Sequence, residues 1–432
     1  MMMLIGWNAA SALTLDEAWE RARTQSEEAT MIEEGRVQAT VVRTQAWASL
    51  SPRVAVAGNF TLNERETTMD FSKSFPDEVL TMIEQFTGEP VDFGDPLVIN
   101  KKSYFDASIT ISQPLFNARA LPGVAGANAW VRAGEAQAEA ALGQLRVGVA
   151  TAYWGTLVSR QAATLADDAV ELSRRHAELA ATLVKAGTAT RQSELQAQIS
   201  VARAERDQLA AHARRARGEH VLAELVGVEP EVELTPPAPQ EVPWATADDA
   251  WTAAQASRPE LAAAKAQLQA LRAQSTAAAL AWLPTVDGRF TEAWTENTGF
   301  SGEENTWIVG VNASWVLWDG GFRVAEQSRV ASQRRQADAA VDKAASDAKV
   351  EVYAAWEELG RAQAARRAAA RELELAEENL RIAEASFKAG AGTLLDLDGA
   401  RLGRDSAALA VLAEQMNADL AARTLSRAVG RP

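Results

Sequence analysis

The sequence predicts a mostly α-helical chain that also carries strands of a membrane β-barrel, built from two tandem repeats. Three observations predict this class. Long stretches rich in Ala, Glu, Arg, Gln and Leu favour helix, because these side chains lose little freedom there. Four short segments alternate apolar and polar residues with period two, as strands wet on one face do. Finally, a set of short markers occurs twice in one order.

The markers define the repeat. Ala18-Trp19 recurs as Ala250-Trp251, and Leu50-Ser51-Pro52 as Trp282-Leu283-Pro284, both at an offset of 232 residues. Pro114-Leu115-Phe116-Asn117 recurs as Val316-Leu317-Trp318-Asp319, and Lys185-Ala186-Gly187 as Lys388-Ala389-Gly390, at offsets of 202 and 203. Tyr153-Trp154 matches Tyr353 to Trp356 when aligned on Tyr. The loss of about 30 residues in offset falls between Pro52 and Phe116, so the first repeat carries an insertion there. The repeats span 13–228 and 247–432. Between them, 229–246 opens EPEVELTPPAPQEV, whose four prolines mark an extended linker.

Each repeat opens with a helix, expected over about 13–49 and 247–281. Strands follow at about 52–66 and 103–116, then at about 284–296 and 305–318. Val54, Val56, Gly58, Phe60 and Leu62 share one face, as do Phe105, Ala107, Ile109 and Ile111. Trp307, Val309, Val311 and Ala313 do the same in the second repeat. Strands of about 9–11 residues suit a bilayer. Phe116, Trp294, Trp307 and Trp318 sit near strand ends, where an interfacial aromatic belt would place them. The edge of a soluble β-sandwich is the plainer reading of such strands. Very long helices are expected over about 117–185 and 319–388. Their apolar residues run 4,3,4,3, as in Val341, Ala345, Ala348, Val352, Ala355 and Leu359, which is coiled-coil spacing. At 1.5 Å rise, roughly 70 residues span about 100 Å. Each stops at a Gly turn, and partner helices return over about 191–227 and 394–428.

Composition excludes several functions. The net charge is −15, which argues against nucleic acid, since phosphate binding needs a basic face. The absence of Cys excludes disulfides, thiolate metal sites and Cys nucleophiles. His212 and His220 lie eight apart, not four, and His176 sits on an apolar stripe, so no metal spacing is present. No phosphate loop or nucleophile–base constellation occurs, so neither an enzyme nor a cofactor is expected. Hydrophobic residues make up 47%, and this surface must be buried or face lipid. No run of 18 apolar residues exists, so membrane insertion would use strands. Residues 1–12 end like a signal cleavage site but lack a basic start, and read as a residual or truncated signal segment.

In this order and spacing, the motifs Leu50-Ser51-Pro52, Trp282-Leu283-Pro284, Gln113-Pro114-Leu115-Phe116, Leu317-Trp318-Asp319-Gly320-Gly321 and Phe387-Lys388-Ala389-Gly390 resemble those of the outer-membrane efflux proteins, the TolC-like family. The resemblance runs from Leu13 to the end of the chain. It implies a homotrimer with a twelve-strand barrel, four strands per protomer, continued by a long α-helical coiled-coil barrel in the periplasm. It implies a passive export duct in the outer membrane of a Gram-negative bacterium, working with a periplasmic adaptor protein and an inner-membrane transporter. Independently, four strands cannot close a barrel and open edges are not tolerated in lipid, so other copies must supply the missing strands.

The resemblance also points to gate residues. In the family, two acidic residues three apart at the second hairpin tip ring the channel axis and bind cations. Asp396 matches the first. The second position is Gly399 here, with Asp398 shifted by one. The plainer reading is that both are acidic residues favoured by a helix N-terminus. Ser193 aligns with Asp396 at the first tip, beside Glu194, and Arg191 would pair with a neighbouring tip carboxylate or remain solvated. The acidic insertion, 67–102, includes Phe71, Phe75, Phe86 and Phe93, and would be an extracellular loop that is a variable surface or covers the barrel mouth. Two other functions compete with the duct. One is an outer-membrane conduit for type I protein secretion, and the other a soluble coiled-coil scaffold.

Overall fold

The computed structural model describes residues 12–89, 92 and 94–431. The expected signal segment, save Ala12, and Phe93 of the insertion lie outside the described residues. The chain divides into two units. A helical unit takes the chain up to Thr40, Trp130–Leu268 and everything from Gln336 onward, and a sheet unit takes Val41–Ala129 and Gln269–Arg335.

The helical unit repeats its own core. In the first repeat, α1 (Leu15–Gln25) packs against α4 (Ala120–Lys185) and α5 (Arg191–Val226), burying Ala18, Ala22, Val149, Leu222 and Val226. In the second, α6 (Ala247–Ser257), α8 (Phe322–Lys388) and α9 (Leu394–Val429) bury Ala250, Ala254, Val352, Leu425 and Val429. The first two pairs differ by 232 residues and the rest by 203. Val149 therefore corresponds to Val352, and Trp356 takes the place of Tyr153. The alignment of Tyr153 with Tyr353 suggested by the sequence is thus displaced by three residues. In α8 the buried Ala348, Val352, Ala355, Leu359 and Ala362 step by four and three, so the heptad seam is real.

Caps repeat too. Thr14 and Glu17 form a capping box at α1, and Thr246 and Asp249 form one at α6, again 232 apart. Neither opening helix is continuous, contrary to expectation. The first breaks at Ser26, which ends α1 in an extended conformation while its hydroxyl accepts from Ala29 N at 3.1 Å and starts α2 (Glu27–Ala48). The second breaks at Arg258, because the following Pro259 disfavours helical backbone before it and suits the first position of α7 (Pro259–Ala279).

The linker is tied down by side chains of α4. Leu234 bridges Leu13, and the Tyr153 hydroxyl lies 2.6 Å from Leu13 O and 2.7 Å from Thr235 O while accepting from Thr235 N at 3.0 Å. Arg160 donates to Val232 O, Pro230 O and the carboxylate of Glu219. Trp154 and Gln240 N both donate to the buried Asp419.

The sheet unit holds a four-stranded antiparallel sheet in the order β1 (Arg53–Leu62), β4 (Ser103–Asn117), β5 (Thr285–Thr295), β6 (Asn305–Ser314). The insertion is structured rather than a plain loop. It contains the hairpin of β2 (Thr67–Met69) and β3 (Leu97–Asn100) and the helix α3 (Asp77–Thr87). Two strands are shorter than expected. β1 stops at Leu62, and β6 stops at Ser314, where the Trp315 indole donates to Trp282 O and the left-handed Gly320 and Gly321 then turn the chain into α8.

Gly134 lies in α4 against α2, and a Cβ there would fall within the Ala39 side chain. Gly134→Ala should therefore lower the melting midpoint of the detergent-solubilised protein, at a cost of about 1–3 kcal/mol from overpacking. That outcome opposes the ~1 kcal/mol that helix propensity alone would add. A raised midpoint in a thermal scan would show that the two helices do not approach closely at this point.

Candidate functional site

The register sorts the sheet into two faces. Val54↔Ile111, Val56↔Ile109 and Phe60↔Phe105 are directly opposed pairs. The same face continues through Ile111↔Phe290 and Ala107↔Trp294, then Phe290↔Val309 and Gly288↔Val311. The other face carries Asn59, Thr61, Asp106, Ser108, Thr110, Ser112, Thr291, Thr295, Asn312 and Ser314. A hydrogen bond of 3.2 Å joins the Thr110 and Thr291 hydroxyls there. The apolar face is bare in the single chain: Val56 is 76% exposed, Trp307 70% and Val311 69%. An apolar surface this continuous is a site of contact with something apolar.

A bulge extends that face. Between Pro114 and Phe116 one residue is skipped, so Phe116 opposes Val286 and joins the apolar side. Without it, alternation would turn Phe116 to the polar side. Gln113 also lies on the apolar side, but its amide donates to Leu50 O and Pro114 O. Glu292 and Asn305 are polar there too, and the Asn305 amide donates to the Glu292 carboxylate. Trp294 and Trp307 lie on the apolar face near the strand ends that lead to loops. Phe60 and Phe105, placed on this face from sequence but not counted among the belt residues, join them, and the Phe105 and Trp294 rings are 6.1 Å apart. The register across strands is what brings Phe105 beside Trp294. Trp318 lies beyond β6 and is 82% exposed.

The hairpin tips of the helical unit have matching geometry. Gly187 and Gly390 adopt left-handed backbone, at φ 74° and 72°, and end the long helices. Thr190 then caps α5 and Thr393 caps α9. Ser193 N donates to Thr190 and Asp396 N donates to Thr393, so Ser193 and Asp396 occupy equivalent positions, as aligned from sequence. Asp396 completes a capping box by accepting from Thr393 N at 3.0 Å and from its hydroxyl at 2.6 Å. These bonds hold its carboxyl below the usual carboxylate range. Arg191 pairs at 2.5 Å with Glu194 of its own helix. Asp398 is 4% exposed and faces Arg175 of α4 at 3.6 Å. Beside it, burial depresses the His176 pKa against the opposing influence of Asp398.

Beside one two-faced four-stranded sheet and two capped helical hairpins, one hairpin from each repeat, stands a match over most of the chain: the family model named Outer membrane efflux protein matches residues 31–228 and 251–431. The chain belongs to the outer membrane efflux protein family. Solved structures agree in fold. VceC, an outer membrane protein of Vibrio cholerae, is 19% identical, with 96% of each chain covered and a TM-score of 0.71. The CmeC outer membrane channel of Campylobacter jejuni is 13% identical, with 99% of this chain and 90% of that one covered and a TM-score of 0.71. The open state of the MtrE outer membrane channel of Neisseria gonorrhoeae is 18% identical, with 96% and 88% covered and a TM-score of 0.70. No curated protein matches the sequence at a significant level. The family is one of efflux proteins, and the solved structures it resembles are outer-membrane channels. Among the described residues, no helix is long and apolar enough to cross a membrane.

The capping box makes the second tip sensitive to acid. The Asp396 carboxyl is depressed in the folded state, so its stabilisation is complete above about pH 4, the unfolded value, and is lost as pH falls through the lower folded value. Hydrogen-exchange protection of residues 389–396 should therefore decline on acidification in the native protein and be flat with pH in Asp396→Asn. Thr393→Ala should reduce protection at every pH, by about 1 kcal/mol for a lost cap. Protection that falls equally with pH in Asp396→Asn would place the acid-sensitive group elsewhere.

Proposed function

We propose that three copies of this chain close a twelve-strand barrel and serve as a passive export duct in the outer membrane of a Gram-negative bacterium. The observation that carries this is the sheet β1-β4-β5-β6, apolar on one face, polar on the other, and open at both edges. In lipid, unpaired edges cost several kcal/mol per group, and closure through further copies is the solution available to a four-stranded piece. The apolar face then meets lipid, with Phe116, Trp294, Trp307 and Trp318 at its margins, and the polar face lines water. Family membership supports the same reading, as does the description of similar proteins as outer-membrane channels. The chain carries no energy-coupling motif, so the drive comes from an inner-membrane transporter through a periplasmic adaptor protein.

Purified protein in planar bilayers should give large, ohmic single-channel currents, and no conductance at any protein concentration would refute the duct. The face assignment has its own check. Ile109→Arg puts a charge on the lipid side and should cost about 2–4 kcal/mol near the midplane, reducing the yield of assembled protein. Ser108→Arg puts the same charge in water and should assemble normally. Equal yields from both would remove the assignment.

We further propose that Asp396, with Arg191, Ser193 and Glu194 at the same tips, narrows the periplasmic entrance, while Asp398, buried against Arg175, takes no part in it. Three Asp396 carboxylates near one axis repel, and a bound cation relieves that repulsion. Asp396→Asn should weaken block by a trivalent cation at least tenfold, about 1.4 kcal/mol. Unchanged block and selectivity would leave Asp396 with its capping role only.

A further inference from the structure

The polar sheet face is dominated by hydroxyls and amides, and two arginines interrupt it. Arg53 opposes Ser112 across β1 and β4, and Ser112 opposes Arg289 across β4 and β5. The three therefore form one register row, Arg53-Ser112-Arg289, with the arginines two strands, or roughly 10 Å, apart. Strict alternation puts all three on the face opposite Val54, Ile111 and Phe290. Arg53 and Arg289 are exposed, and neither makes an ion pair or a side-chain hydrogen bond among the described residues. Each guanidinium is long enough to lean over Ser112, so the two can converge on one group lying above its hydroxyl.

The surrounding charges leave this row positive. Asp287 lies on the same face one pleat nearer the strand start, opposite Pro114 and Asn312, and pairs with neither arginine. Asp106 is six residues from Ser112 along β4 and is engaged by the Thr295 hydroxyl at 2.5 Å. Arg53 is on the open edge strand β1. In a closed barrel its new neighbour is β6 of another copy, and β6, Asn305 to Ser314, contains no Asp or Glu. Closure therefore brings no carboxylate strand beside Arg53.

We infer that Arg53, Ser112 and Arg289 form an anion-binding site on the export path, one per protomer, for cargo bearing sulfonate, phosphate or carboxylate groups. This rests on the duct reading above for the statement that the row lines the path. The site itself is built within one chain, so the two can fail separately. It specifies a chemical class of cargo, organic anions, that the gate carboxylates do not.

The test is single-channel recording with pyrene-1,3,6,8-tetrasulfonate added to each side in turn. Wild-type channels should show concentration-dependent interruptions. Arg53→Gln/Arg289→Gln removes six positive charges from a trimer, and the blocking concentration should rise at least about tenfold, since each lost charge-assisted contact is substantial. Arg53→Lys/Arg289→Lys keeps the charge and should retain most of the block. Should the double Gln variant fail to assemble, Ser112→Glu, which sets a carboxylate between intact arginines, should abolish block in its place. Absence of block in wild-type channels, or undiminished block in the Gln or Glu variants, overturns the site. If wild-type protein forms no channels, the duct reading fails instead. Fluorescence anisotropy of the same tetrasulfonate with detergent-solubilised protein then decides the site, with tight binding to wild type and at least tenfold weaker binding to the Gln variant expected, and equal binding overturning it.

Discussion

The two open edges of the sheet govern this molecule. Strand β1 and strand β6 each present a row of backbone donors and acceptors with no partner strand among the described residues. In water such edges invite aggregation, and in lipid they are ruled out by the cost of unpaired peptide groups. The apolar face makes the problem sharper, because Val54, Val56, Phe60, Trp307, Val309 and Val311 are all more than 60% exposed. A chain that leaves both the edges and this face bare is a fragment of a larger closed surface. The even alternation of its other face, threonine and serine with few charges, is what a water-filled lumen requires.

The helical unit solves the same kind of problem twice. Ala18 and Ala22 sit in the first core where Ala250 and Ala254 sit in the second, and small residues there let helices approach closely. Polar anchors differ between the repeats. Arg160 in the first repeat binds linker carbonyls and Glu219, while in the second Arg258 and Arg427 converge on Glu351. Burial pushes the Glu351 carboxyl up, and the two guanidinia overcome it and leave it lowered. The repeat is therefore conserved in its apolar geometry and free in its ionic detail, as expected where burial sets the fold and charge pairs adjust locally.

Much of this was legible in the sequence. The ends of the long helices at Lys185 and Lys388, and so the starts of their partners at Arg191 and Leu394, followed from Gly turns, which act over three or four residues and need no tertiary context. The faces of β1 and β4 followed from alternation. What was hidden depends on contacts between distant segments. The bulge that turns Phe116 outward appears only when β4 is laid against β5. The burial of Asp398 depends on α4 packing over the tip of α9, and the row of Arg53, Ser112 and Arg289 on a register between both repeats. The breaks at Ser26 and Arg258 were readable in principle, since Ser is a strong cap and Pro259 follows Arg258, but helix propensity on both sides masked them.

The central claim is that the sheet closes only through copies of itself. Native mass spectrometry of the detergent-solubilised protein, with detergent removed in the gas phase, measures the number of chains directly. The account predicts a single species of three chains that persists at low protein concentration. A monodisperse single chain, stable in solution without detergent, would contradict it.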